Sequence, residues 1–109
     1  MDVPLSITDR IMLLQILPTE GKMLDMMIVN PLRQQIWLTD EEMARVGFRQ
    51  EENQAFWQQD KEFDKTITFG PNGTRIVLDA LKKLDEEGKI PVAAASLCQK
   101  FGYSAPDGG

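Results

Sequence analysis

Apolar residues recur at three-to-four spacing near the start of the chain, which predicts a helix over residues 7–17. Ser6 and Asp9 have the spacing of a capping box at its beginning, and Pro18 ends it. The apolar positions cover more than one side of this helix. Such a helix is either central to its fold or covered by a second chain.

The next helical pattern covers residues 23–36, and the pair Asn30-Pro31 interrupts it. Pro31 either kinks one continuous helix or begins a second helix that Asn30 caps, and the pattern leaves both open. Residues 26–29 could also form a short buried strand, since a run of four residues shows no clear period. We favour a helix because this run continues the helical spacing.

A second capping box, from Thr39 to Glu42, opens a short helix that Gly47 ends. Beyond Gly47 the apolar period becomes two. Three β-type stretches follow, at Phe48, at residues 55–57 and at residues 66–69, and polar, turn-forming stretches at residues 51–53 and 60–64 separate them. These runs predict an antiparallel hairpin or a three-strand meander.

The clearest helical pattern covers residues 75–87, where the apolar residues share one face. A dense turn signal precedes it at residues 70–73, and Asn72 or Thr74 can cap the helix that follows. A last helix is predicted over residues 92–101.

Length and composition indicate a single folded domain. The chain has 109 residues, of which 42% are hydrophobic and 27% charged, as in ordinary globular proteins. We therefore predict an α+β fold of about five helices packed with a small antiparallel hairpin or three-strand meander. The domain is expected to cover residues 1–103, followed by a flexible tail at residues 104–109.

The absence of histidine from the sequence limits the chemistry that the protein can perform. It excludes a histidine-based catalytic triad and every histidine-containing metal site. The single cysteine, Cys98, excludes a disulfide within the chain and a paired-cysteine zinc site. The acidic trios at residues 40–42 and 85–87 point apart on their helices, because neighbours along a helix do not face each other. We expect no enzymatic activity, no metal and no cofactor.

The first apolar run is far shorter than a membrane span. Residues 11–17 form a run of seven residues that Gln15 interrupts, whereas a span needs roughly 20 apolar residues. Asp2 and Asp9 stand where a secretory signal carries positive charge. A lone cysteine suits a reducing compartment. We expect a cytoplasmic protein that does not enter membranes.

The net charge of −5 is concentrated in one stretch. Residues 39–64 hold eight acids and three bases, while the remainder holds nine of each. Aromatic residues rimmed by acids are typical of a site for a basic protein surface, and this charge argues against nucleic-acid binding. With Trp57 as the expected anchor, the candidate partner-binding residues are Glu51, Glu52, Phe56, Trp57, Asp60, Glu62, Phe63 and Asp64.

Methionines cluster at the start of the second helical pattern. Three of them lie within five residues, and methionine is suited to adaptable contact surfaces as well as to filling a core. Together with the apolar first helix, the cluster favours a homodimer or small homo-oligomer. The candidate self-association residues are Met12, Met23, Met26 and Met27.

Four stretches follow one another at residues 16–21 (Ile-Leu-Pro-x-Glu-Gly), 38–42 (Leu-Thr-Asp-Glu-Glu), 47–51 (Gly-Phe-x-Gln-Glu) and 76–87 (Ile-Val-x-Asp-Ala-Leu-Lys-Lys-Leu-Asp-Glu-Glu). In this order they resemble a group of small uncharacterised proteins carried by bacteriophages and prophages. The similarity covers residues 6–90. This sequence departs from the group by placing Pro31 inside what looks like one continuous helix there.

The resemblance implies a phage accessory protein that binds a host protein. Its most concrete form is an inhibitor of an antiviral defence factor. The alternative from another class is a winged-helix-like DNA-binding regulator, because helices followed by a hairpin fit that topology. Such a hairpin should be basic, and here the hairpin region is the most acidic part of the chain.

Overall fold

The computed structural model describes residues 1–104 and has the α+β fold that the sequence predicts. Over this range the helices are α1 (Ile7–Ile16), α2 (Met23–Ile36), α3 (Asp40–Val46), α4 (Pro71–Glu86) and α5 (Ala95–Lys100). The strands are β1 (Asp2–Leu5), β2 (Arg49–Glu51), β3 (Gln54–Phe56) and β4 (Lys65–Thr68). Single turns of 3-10 helix lie at Gln59–Lys61 and Val92–Ala94. Of the predicted tail, residues 105–109 lie outside the described residues.

The strands form two separate antiparallel pairs. β2 and β3 make the predicted hairpin, in which Gln50 lies opposite Ala55. The run at residues 66–69 belongs to β4 and the residue after it, and β4 pairs with β1 instead, so that Val3 lies opposite Ile67. Within residues 1–104 the hairpin alternative is therefore confirmed, and the three-strand alternative is wrong.

The main core lies between the β1–β4 pair and helices α1, α2, α4 and α5. Helix α1 is central to it, because its apolar residues are covered by these other elements of the same chain. This accounts for the apolar character of several of its sides without a second chain. The buried residues of this core include Val3, Leu5, Leu13, Leu17, Val29, Leu32, Ile36, Ile67, Phe69, Ile76, Val77, Leu81, Leu97 and Phe101.

Helix α2 runs through Pro31 as one continuous helix. Residues 26–29 are helical, and Asn30 lies inside the helix rather than at a cap. Pro31 lies on the exposed side, where its ring meets solvent rather than the core. Because proline has no N–H, it cannot donate to the carbonyl of Met27 four residues earlier. The tertiary contacts of the helix thus override the local cost of proline.

Helix α4 begins four residues earlier than the sequence predicts. Gly70 is its N-cap and Pro71 its first residue, so neither Asn72 nor Thr74 caps it. Proline suits the first helical position because the N–H that it lacks has no partner there in any case. Gly73 lies against α2, where a β-carbon would come within 3.1 Å of the Leu32 Cδ1 atom. The apparent turn is therefore a helix start packed close to its neighbour.

A fully buried arginine joins the ends of three helices. The Arg10 guanidinium donates to the Ile36 carbonyl at 2.7 Å and to the Trp37 carbonyl at 2.9 Å, both at the end of α2. It also donates two hydrogen bonds of 2.9 Å to the carboxylate of Glu42 in the first turn of α3. These bonds from Arg10 are the main reason that the pKa of Glu42 falls to about 2.

A second buried charge holds the last helix in place. The Asp9 carboxylate is 1% exposed and accepts a 2.6 Å hydrogen bond from the Lys100 ammonium group in α5. It also accepts from the backbone N–H of Ser6, as the capping box requires. Asp9 therefore caps α1 and ties it to the far end of the described chain.

In residues 1–104, none of the helices combines the length and the apolar character needed to cross a membrane.

Candidate binding groove

A groove of about 580 Å³ lies between α1, the last turn of α2 and the β2–β3 hairpin. This volume falls within the range of roughly 300–1,000 Å³ that is usual for ligand sites. Each helix contributes residues three or four positions apart, which therefore share one face. The lining residues are Ile11, Leu14 and Gln15 from α1, Arg33, Gln34 and Trp37 from the end of α2, and Phe48, Gln50, Asn53 and Ala55 from the hairpin and its approach.

The floor of the groove is aromatic. The ring centroids of Trp37 and Phe48 are 5.7 Å apart in an edge-to-face arrangement, and Phe48 stacks on Trp57 with centroids 6.4 Å apart. These three rings form what we call the aromatic ladder. Trp37, at the end of the ladder that lines the groove, is 39% exposed, while Trp57, at the opposite end of the ladder, is half-buried. A large apolar ring is therefore available to a molecule in the groove.

Neutral carboxamides form the rim of the groove. Gln15, Gln34, Gln50 and Asn53 are exposed, and each offers both hydrogen-bond donors and an acceptor. Of the residues that line the groove, Arg33 alone carries a charge. The lining is therefore suited to apolar contact and hydrogen bonding.

Arg33 is held at the wall of the groove by an orphaned backbone carbonyl. Its Nη1 atom donates a 3.0 Å hydrogen bond to the carbonyl of Leu14, near the end of α1. The N–H that would normally reach this carbonyl belongs to the residue four positions on, which is Pro18 and has none. The proline that ends α1 thus creates the acceptor that orients Arg33.

Strand alternation places Phe56, rather than Trp57, on the outer face of the hairpin. Phe48, Gln50, Ala55 and Trp57 point inward, and Phe56 points outward. Phe56 is 37% exposed, with the Arg49 guanidinium 5.1 Å from its ring centroid. Among the predicted anchors, Phe56 is therefore the one that meets solvent.

The remaining aromatic candidates pack into a small second core beneath the hairpin. Trp57 and Phe63 contact a cluster whose buried members are Ile7, Ile11, Leu38 and Val46. The Arg45 guanidinium lies 3.9 Å from the centre of the Phe63 ring. Both aromatics are thus half-buried side chains with packing roles in the fold.

The predicted acidic residues lie in different surroundings. Glu51 pairs with Arg49 at 3.1 Å, and Glu52 lies at the hairpin turn with a positive φ of 56°. Glu62 is half-buried and accepts from the backbone and hydroxyl of Thr8, in the first turn of α1, at 2.6 and 2.8 Å. Asp60 and Asp64 are exposed. Of the eight predicted partner-binding residues, three are half-buried (Trp57, Glu62 and Phe63), five are exposed, and none lines the groove.

The four candidate self-association methionines divide into two pairs. Met12 and Met26 are half-buried against the main core. Met23 and Met27 are 74% and 64% exposed on the first turns of α2, next to the exposed Leu24. Self-association stays a prediction, and it now concerns this exposed pair.

The sequence pattern predicts only part of the groove. Neither Trp37 nor the four carboxamides were predictable as site residues, because they belong to no motif in the sequence. The spacing of Ile11, Leu14 and Gln15 places them on one helix face. Only the packing of two helices against a hairpin brings such faces together.

Replacing Trp57 with alanine is expected to lower the free energy of unfolding by about 2 kcal/mol, because the half-buried ring packs in the second core. Urea denaturation followed by circular dichroism measures this change. Phe56→Ala is the matched control, since it removes an exposed ring from the adjacent position. Equal stability of the two variants would show that the Trp57 ring contributes no packing.

Comparison of the chain with protein-family models, with curated proteins and with solved structures found no match.

Proposed function

We propose that this protein is a non-enzymatic binding protein that captures a segment of a partner protein in the groove. The observation that carries this proposal is the exposed ring of Trp37 beside an apolar floor, within a rim of neutral carboxamides. Tryptophan is among the commonest anchors of protein interfaces, and anchors are usually surrounded by polar groups that hydrogen-bond the partner.

Acidic residues outside the groove support a partner with a basic surface. Glu51, Glu52 and Asp60 are exposed around the hairpin, within the stretch of residues 39–64 that holds eight acids and three bases. Rim charges of this kind mainly accelerate association and fix orientation, while the anchor supplies most of the affinity. The groove and the acids thus have separate roles in the same interaction.

The resemblance to small phage proteins supports a bacterial host protein as the partner. In this proposal the protein acts in the cytoplasm of an infected or lysogenic host. The most concrete version is that it occupies a surface of an antiviral defence factor and thereby inhibits it. Binding to such a target requires no catalytic group.

DNA binding finds less support in the structure. The hairpin carries one arginine, Arg49, against Glu51 and Glu52, and Arg49 is already paired with Glu51. A hairpin that contacts phosphates should present unpaired basic side chains. The proposed partner is therefore a protein.

Replacing Trp37 with alanine is expected to abolish partner capture and to leave the melting temperature within a few degrees of wild type. The ring is an exposed anchor, whereas only the backbone carbonyl of Trp37 bonds to Arg10. The measurement is a pull-down from a bacterial lysate with quantitative mass spectrometry, alongside thermal unfolding.

Val92→Ala is the control for this experiment, because Val92 is an apolar side chain that is 94% exposed and lies outside the groove. It should capture the same proteins as wild type. If the Trp37→Ala variant retains every protein that wild type enriches, the groove is not the binding site.

A further inference from the structure

The contacts of the Arg33 guanidinium indicate which kind of segment the groove selects. Among residues 1–104, every other arginine except Arg45 pairs with a carboxylate, and Arg45 stacks on Phe63. Arg33 forms one hydrogen bond, to the Leu14 carbonyl, and the described residues supply no carboxylate to its guanidinium. A guanidinium has five N–H donors in a planar fork, so several remain to be used at the wall of the groove.

The fixed position of Arg33 favours an anionic ligand over a merely polar one. The side chain is half-buried and already oriented by its bond to α1, so a ligand does not have to order it. A carboxylate can accept two parallel hydrogen bonds from such a fork, and charge-assisted bonds are about twice as strong as neutral ones. A carboxylate is therefore the group that complements this wall best.

The distance from Arg33 to Trp37 determines the spacing between the acidic and the apolar side chain of the ligand. The two residues are four positions apart along α2 and its C-cap, which places them about 6 Å apart along the helix axis. In an extended peptide, side chains two positions apart lie on the same side and are separated by roughly 6.7 Å. An acidic and an apolar side chain at positions i and i+2 would therefore reach Arg33 and Trp37 together.

The carboxamide rim also favours an extended segment. Gln15, Gln34, Gln50 and Asn53 can each donate to and accept from a peptide main chain. In a helical ligand these main-chain groups are already bonded to one another, whereas in an extended segment they are free. The rim and the spacing thus agree on the same conformation.

We propose that the groove selects an extended segment of the partner protein in which a glutamate or aspartate lies two residues from an aromatic or large aliphatic residue. The carboxylate binds Arg33, the apolar side chain contacts Trp37, and the carboxamides bind the main chain between them. This inference rests on the proposed function, because it describes the segment that the groove captures. It concerns the groove alone, and the acids of the hairpin still favour a basic surface around that segment.

The test is a fluorescence-polarisation screen of short peptides with acetylated and amidated ends, so that side chains supply the only carboxylates. Each Glu-x-Phe or Phe-x-Glu peptide is matched with a version that carries glutamine in place of glutamate. Wild-type protein is expected to bind the best acidic peptides about tenfold more tightly than their neutral partners. In Arg33→Gln that ratio should fall to about one.

Arg49→Gln is the matched control, because it also removes one arginine charge but lies on the outer face of the hairpin, paired with Glu51. It should keep the wild-type ratio. Urea denaturation of Arg33→Gln verifies that the variant is folded. If the variant is unfolded, the ratio of acidic to neutral peptide affinity in wild type still tests the inference.

Equal binding of acidic and neutral peptides by wild type would overturn this inference while leaving the proposed function in place. So would a ratio that falls equally in Arg49→Gln, since the preference would then come from the overall charge. Each glutamine peptide is also measured with a free C-terminus, and tighter binding of that form than of the blocked glutamate peptide would overturn the assignment to a side chain. Loss of partner capture in Trp37→Ala is measured separately, so that failure of the proposed function is recognised on its own.

Discussion

Replacing Glu42 with glutamine is expected to lower the free energy of unfolding by about 3 kcal/mol, because it leaves a buried arginine without its counterion. The Arg10 side chain is fully buried, and its two bonds to the Glu42 carboxylate are 2.9 Å long. Glutamine is close in size but cannot neutralise the guanidinium. Urea denaturation at pH 7, followed by circular dichroism, measures the loss.

The control is Glu41→Gln, which removes an exposed carboxylate from the adjacent position of α3. Its stability should stay within about 0.5 kcal/mol of wild type. A Glu42→Gln protein as stable as wild type would show that the two carbonyls alone satisfy Arg10.

The same ion pair makes stability depend on pH in a defined direction. The pKa of Glu42 is lowered from 4.5 to about 2 in the folded protein. A carboxyl group with a depressed folded pKa stabilises the protein fully above its unfolded pKa. That contribution is therefore lost as the pH falls from about 4.5 towards 2, and Glu42→Gln should lack this part of the acid dependence.

Replacing Lys100 with methionine is expected to lower the free energy of unfolding by about 2 kcal/mol, because it removes the cation that faces a buried carboxylate. The Lys100 ammonium group lies 2.6 Å from Asp9, which is 1% exposed. Thermal unfolding measures the stability. Amide hydrogen exchange should show the largest loss of protection in α5, which this contact holds against α1.

Two variants separate the ion pair from a general effect of removing lysine. Lys89→Met, at a lysine that is 70% exposed in its side chain, should leave stability nearly unchanged. Lys100→Met should lower the free energy of unfolding less in an Asp9→Asn background than in wild type, because asparagine carries no charge that needs a cation. Additive losses in the double variant would mean that the two side chains do not interact energetically.

Helix ends were predictable from the sequence because they depend on residues a few positions apart. Both capping boxes form, with Ser6 accepting from the Asp9 N–H and Thr39 accepting from the Glu42 N–H. Gly47 adopts the left-handed conformation that ends α3. Gly70 is one exception, because Pro71 in the first helical position and a proline in a turn give the same local pattern. The start of the last helix, predicted at residue 92, is another, because residues 92–94 form a turn of 3-10 helix and α5 begins at Ala95.

The strand pairing was not predictable because it joins distant parts of the chain. β1 pairs with β4 across more than 60 residues, and nothing in either strand identifies its partner. Pro4 lies within β1, although proline removes a ladder hydrogen bond. It is accommodated because β1 belongs to a two-stranded pair and keeps a free edge.

The candidate site was only partly predictable for a similar reason. Alternation along β3 showed that Phe56 and Trp57 occupy opposite faces, but a hairpin can pack on the core by either face. The stacking of Trp57 on Phe48 determines that choice, and it depends on where α3 and the second core lie. The carboxamides of the rim lie on separate elements of the chain, so no sequence pattern predicts that folding brings them together.

The aromatic ladder also gives the protein an internal optical label. The chain has two tryptophans, and both belong to the ladder, one at the groove and one in the second core. Its intrinsic fluorescence therefore comes from one ring that lines the groove, Trp37, and one that packs in the second core, Trp57. A segment that covers Trp37 removes water from the more exposed emitter, so that binding and dissociation can be followed on the unmodified chain.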